Sequence, residues 1–77
     1  MTPIIDINGH LVCYVDWQTG QMENVYNKQH MIAHLPIGSE IIIRRRGTRT
    51  LVRRLPDGKF YTYSMIDPEP LESHRIQ

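Results

Sequence analysis

One cysteine, one tryptophan and one phenylalanine in 77 residues set the first limits on this chain. A single Cys13 leaves no internal disulfide, so the fold must hold by packing and hydrogen bonds, and such a chain fits a reducing compartment. Cys13 stands in an apolar stretch, which reads as a buried structural thiol, since a reactive thiolate needs exposure and positive neighbours. No apolar run approaches the ~18 residues of a membrane-crossing helix. The N-terminus also lacks the basic-then-apolar order of a secretory signal. The expected location is therefore cytoplasmic. The chain lacks a charge imbalance as well, its formal net charge being only +1.

Signatures of catalysis and of metal binding are missing too. Asp6, Asp16 and Glu23 form no paired-carboxylate motif, and Ser39, Ser64 and Ser73 lack a nucleophile-elbow context. Gly20, Gly38, Gly47 and Gly58 are spaced as turn residues, not as a phosphate-cradling loop. His30 and His34 would share a helix face, but a zinc site needs at least a third protein ligand, and nothing in the spacing brings His10, Cys13 or Glu23 to them. The expectation is a protein without catalytic residues, metal or cofactor.

What the chain does hold is a cationic meander. Between positions 41 and 56 lie six arginines and no acid, whereas the stretch 67–72 is acidic. Gly47 splits two runs rich in Ile, Thr, Leu and Val, and an Arg46-Gly47 turn sets Glu40 against Arg53, Ile41 against Val52, Ile42 against Leu51 and Ile43 against Thr50. A turn at Gly47-Thr48 would instead oppose isoleucines to arginines, mixing faces. Pro56-Asp57-Gly58 then forms a three-residue loop that sets Arg54 against Phe60, Arg53 against Tyr61, Val52 against Thr62 and Leu51 against Tyr63. One face thus gathers Ile41, Ile43, Val52 and Phe60, with Arg45 and Arg54 near its ends. The other gathers Ile42, Arg44, Arg49, Leu51, Arg53, Tyr61 and Tyr63.

Ahead of the meander, Asn8-Gly9 marks a two-residue hairpin turn with Ile4 opposite Cys13, Ile5 opposite Val12, Asp6 opposite Leu11 and Ile7 opposite His10. Both hairpin faces are then largely apolar, which places it inside the fold with material on each side. Trp17 falls in a polar loop, where it either caps an open end or meets a partner. Residues 22–27 fit a strand returning against Tyr14 or a helical stripe, the strand being preferred. Asn27 suits an N-cap, and residues 28–35 read as two helical turns with Met31, Ile32 and Leu35 inward, ended by Pro36 and Gly38.

The expected fold is α+β: a small antiparallel β-sheet or partly open barrel made of the hairpin, a third short strand, one short helix and the meander. Residues 1–66 form the domain, and residues 67–77 an extended, mobile acidic tail with alternating prolines. The expected function is non-catalytic binding of nucleic acid through the mixed Arg/Tyr face. Arg44, Arg46, Arg49 and Arg53 would track phosphates while Tyr61 and Tyr63 stack on bases. The same residues also suit an ordinary solvated strand face. The alternative is a protein-interaction adaptor or inhibitor using Trp17, Ile42 and Leu51, with a homodimer through sheet edges as one form of it.

Overall fold

Short runs of alternating side chains, each closed by a residue at positive φ, turn this chain back on itself six times. The structure is a computed structural model that describes residues 1–26 and 28–68, without the side chains of Val25 and Tyr26. Seven strands follow in order: β1 Thr2–Ile5, β2 Leu11–Asp16, β3 Gln21–Tyr26, β4 Gln29–His34, β5 Glu40–Arg45, β6 Thr48–Arg54 and β7 Phe60–Ile66. Every paired neighbour is antiparallel. Four strands make one sheet in the order β1-β2-β3-β4, and three make the other in the order β5-β6-β7.

This all-β fold corrects the α+β expectation, because no helix occurs among the described residues. Residues 28–35 are not two helical turns but the strand β4 with its flanks. The apolar positions admit both periods, and the open edge of β3 decides between them. Two residues link Tyr26 to Gln29, with Lys28 at φ 62°, and the chain re-enters a ladder that runs from Tyr26–Gln29 to Gln21–His34. A two-turn helix would be marginal in water and would leave that ladder unmade.

The N-terminal hairpin also differs from the expected register. Ile4 faces Cys13 as expected, but Ile5 faces Leu11 and Val12 becomes an extra residue in a β-bulge. The cause is Asp6. Its Oδ1 accepts the backbone N–H groups of Asn8 and His10, at 2.9 Å each, while its own N–H reaches the His10 carbonyl. The loop therefore has three residues, with Gly9 at φ 86°, not two. The bulge turns both Val12 and Cys13 inward, and both are buried. Ile5, Ile7, Leu11 and Tyr14 are exposed, so only one face of the hairpin is covered.

Both registers of the C-terminal meander are those the sequence implies. Arg46 and Gly47 have φ of 55° and 74°, as the two-residue turn between them requires. The core lies between the sheets: Ile4, Val12, Cys13, Val15 and Met22 meet Val52, with Ala33, Ile41, Ile43 and Phe60 at its margins. Cys13 is the buried thiol expected, its pKa pushed up to about 11 by burial despite the nearby Arg45 charge.

Polar side chains tie the layers at both ends of this core. At one end the Arg45 guanidinium donates to the Asn24 side chain at 2.8 Å and the Val12 carbonyl at 3.4 Å. Thr48 Oγ1 reaches Asp6 Oδ2 at 3.4 Å, and the Ile7 N–H donates to Ser64 Oγ at 2.9 Å. At the other end the buried Arg54 donates to the carbonyls of Leu35, Gly58 and Trp17 at 3.0, 3.2 and 3.4 Å. Gly20 is needed there, since a Cβ would strike the Arg54 guanidinium and lie 2.7 Å from the Leu35 carbonyl.

Burial raises the pKa of the Asp6 carboxyl, but the hydrogen bonds from the His10 and Asn8 N–H groups outweigh it and hold the value below the ordinary 3.8. A depressed carboxyl contributes stability above its unfolded pKa and loses it as pH falls through the folded value. Unfolding midpoints should therefore start to fall as pH drops past 3.8, and Asp6→Asn should flatten that fall while costing about 1–3 kcal/mol near neutrality. Urea titrations of both proteins between pH 7 and 2 measure this; parallel curves would contradict it.

Candidate contact surface

The outer face of β5-β6-β7 holds the residues that the sequence singles out, and the register arranges them in three rows. Glu40, Arg53 and Tyr61 form one, Ile42, Leu51 and Tyr63 the middle one, and Arg44, Arg49 and Met65 the third. Cross-strand neighbours on one face lie within side-chain reach, so each row acts as a unit. In the middle row Ile42 is 53% exposed and Tyr63 55%, with Leu51 half-buried between them. Tyr61 is exposed beside them. The result is a strip of apolar and aromatic surface running across all three strands.

The arginines on either side are engaged within the chain. Arg53 Nη2 lies 2.8 Å from Glu40 Oε1, an exposed pair of small energetic weight. The third row is different. Asp67, the residue after β7's last, has a side chain only 4% exposed, and its two oxygens lie 2.6 Å from Arg44 Nε and 3.4 Å from Arg49 Nη2. Its backbone N–H donates to the Gly47 carbonyl at 2.8 Å. Asp67, the first residue of the expected tail, is thus fastened across the third row. Residues 69–77 of that tail lie outside the described residues.

Arg46 projects from the tip of the β5–β6 turn, exposed and without an ion pair among the described residues. It is set apart from the strip, at the end of the hairpin. Trp17 is also separate from Ile42 and Leu51. It is exposed in the β2–β3 turn and lines a groove of about 420 Å³ between β1 and β7 with Pro3, Ile4, Val15 and Phe60. The alternative trio therefore splits, Ile42 and Leu51 sharing the strip and Trp17 facing another opening.

His30 and His34 sit on the exposed side of β4, four strand residues and so roughly 13 Å apart, not on one turn of a helix. His30 Nε2 lies 3.3 Å from Glu23 Oε1. Among the described residues no three of His, Cys, Asp and Glu gather as a metal site, and no helix is long and apolar enough to cross a membrane.

Two acids matter here, and the sequence places only one of them. Glu40 was legible, because the register itself puts it opposite Arg53. Asp67 was not, because only the tertiary path of the chain after β7 brings it beside Arg44 and Arg49. Compared with known protein families, characterised proteins and solved structures, the chain matches none of them.

Removing the Asp67 charge takes a carboxylate away from two arginines that are mostly covered. Asp67→Asn should cost about 1–3 kcal/mol in urea unfolding, and a cycle with Arg44→Met should show coupling of about 1 kcal/mol. Additive effects of the two substitutions would show that the pair carries no interaction.

Proposed function

We propose that this chain is a small, non-catalytic binding module that recognises a protein partner through the outer face of β5-β6-β7. The observation that carries this reading is the pairing of Arg44 and Arg49 with Asp67 and of Arg53 with Glu40 on either side of the exposed Ile42–Leu51–Tyr63 row. An apolar, aromatic centre with a polar rim is the common anatomy of a protein–protein contact, and tyrosine and arginine are the residues enriched there. A phosphate-tracking surface needs arginines ready to replace counterions, and these already have carboxylate partners. A lone unpaired thiol, buried at Cys13, fits a reducing, cytoplasmic setting.

Two experiments divide this reading from the nucleic-acid one. In fluorescence anisotropy with short labelled single- and double-stranded DNA and RNA, the unmodified chain should give weak, unsaturated signals at physiological salt. Asp67→Asn should tighten binding and steepen its salt dependence, as Arg44 and Arg49 lose a carboxylate that competes with phosphate. Saturable, salt-sensitive binding by the unmodified chain, lost when Arg44, Arg49 and Arg53 are replaced, would make nucleic acid the ligand. In cells, a photoreactive residue at position 63 should cross-link to protein, a control at position 18 should not, and Ile42→Asp should abolish the adduct. Equal labelling from both positions would remove the strip as the contact.

A further inference from the structure

The two sheets stand apart along one side, where a groove of about 420 Å³ opens between the edge strands β1 and β7. Strand parity aims its walls inward. Thr2 and Ile4 share the face of β1 that meets Val15 and Cys13, while Phe60 and Thr62 share the face of β7 that meets Arg54 and Val52. The floor is apolar, made by the buried Ile4 and Val15 with the half-buried Phe60. Trp17 stands at the rim, 48% exposed, and Lys59 is the one charged residue among the described residues of the lining. The Lys59 side chain has no carboxylate partner among the described residues, and Asp57 takes only its backbone N–H, at 3.0 Å.

Both ends of the groove are fixed. At one, Arg54 Nη2 holds the Trp17 carbonyl at 3.4 Å, and that carbonyl also borders Gly58, so the turns bearing Trp17 and Lys59 are fastened together. At the other, the Ile7 N–H reaches Ser64 Oγ at 2.9 Å, past Ile4 on one wall and past Thr62 on the other. A guest strand laid along β7 would run into that bond, and Pro3 offers a strand on β1 no N–H at its position. The opening therefore suits a compact ligand, and its volume falls in the range of small-molecule sites. We infer that this groove binds a small aromatic carboxylate. The ring lies against Trp17 and Phe60, and the carboxylate meets the Lys59 ammonium. The Thr2 and Thr62 hydroxyls are the remaining side-chain donors in the lining besides the Trp17 indole N–H. A cationic ligand finds no opposite charge there, and a neutral one leaves Lys59 unused. The groove opens on the inner face of β7, away from the Ile42–Leu51–Tyr63 row, so this site is independent of the partner contact proposed above.

An NMR titration of the isotope-labelled full chain tests this, with cinnamate as the probe and cinnamylammonium as a probe of the same body and opposite charge. The chain has one tryptophan, so its indole N–H is a unique reporter. That signal and the amides of Lys59, Phe60 and Thr62 should shift saturably with cinnamate, with a Kd in the millimolar range. Cinnamylammonium should bind about fivefold more weakly, the scale of one exposed ion pair. Lys59→Met, a change at an exposed side chain, should bring the two probes within about twofold of each other. Ile42→Asp should leave both titrations unchanged. The comparison of the two probes on the unmodified chain stands without either variant. No saturable shift at Trp17, shifts centred on Ile42, Leu51 and Tyr63, equal affinity for both probes, or a preference for cinnamate that survives Lys59→Met would each overturn the assignment.

Discussion

The Arg54 guanidinium is the constraint on which the two-layer arrangement rests. It is buried, 8% exposed, and its hydrogen bonds go to three main-chain carbonyls on three separate segments. Trp17 lies in the β2–β3 turn, Leu35 follows β4, and Gly58 closes the β6–β7 turn. A buried cation costs several kcal/mol to desolvate, and only well-placed acceptors offset that. The same three carbonyls would be left without donors if the guanidinium were removed. Arg54 therefore does more than fill space at the end of β6. It fixes where the second sheet sits on the first, and so which faces of each are left outside.

That arrangement explains why the contact strip is where it is. Val52, one residue earlier in β6 than the Arg53–Glu40 pair, is fully buried, and strand alternation then forces Leu51 and Arg53 to the other side. Strong inward anchoring by Val52 and Arg54 leaves β6 no freedom to slip by one residue. The middle row of Ile42, Leu51 and Tyr63 is exposed as a consequence of what β6 buries. The charge pattern follows from the chain path as well, since Asp67 reaches Arg44 and Arg49 only because β7 ends beside the β5–β6 turn.

Local turn chemistry made half of this readable in the sequence. Gly47 and the Pro56-Asp57-Gly58 loop specify their registers through backbone preferences, so both faces of the meander were legible residue by residue. Two features were not. The Asp6 side chain rewrites the first hairpin by taking two loop N–H groups, and a turn motif alone carries no sign of that. Residues 28–35 satisfy a helical and a strand period at once, so the outcome depends on β3 offering an unpaired edge, which is a tertiary fact. Arg45 and Arg54 were placed on the core face by parity, yet their acceptors, mostly main-chain carbonyls distant in sequence, leave no mark on side-chain pattern. The strip's residues could be named from the sequence, whereas the neutralisation of its arginines by Asp67 could not.

The most direct test of this account is the unfolding free energy of Arg54→Met compared with the unmodified chain, with amide hydrogen exchange read residue by residue. Methionine keeps much of the side-chain volume and removes every donor. A loss of about 3–5 kcal/mol is expected, a large part of the stability of so small a domain. Exchange should speed first at Leu35, whose N–H donates to the Gly20 carbonyl beside the guanidinium, while β5 and β6 stay protected. A variant within about 0.5 kcal/mol of the original, with protection at Leu35 unchanged, would show that packing alone sets the two sheets together.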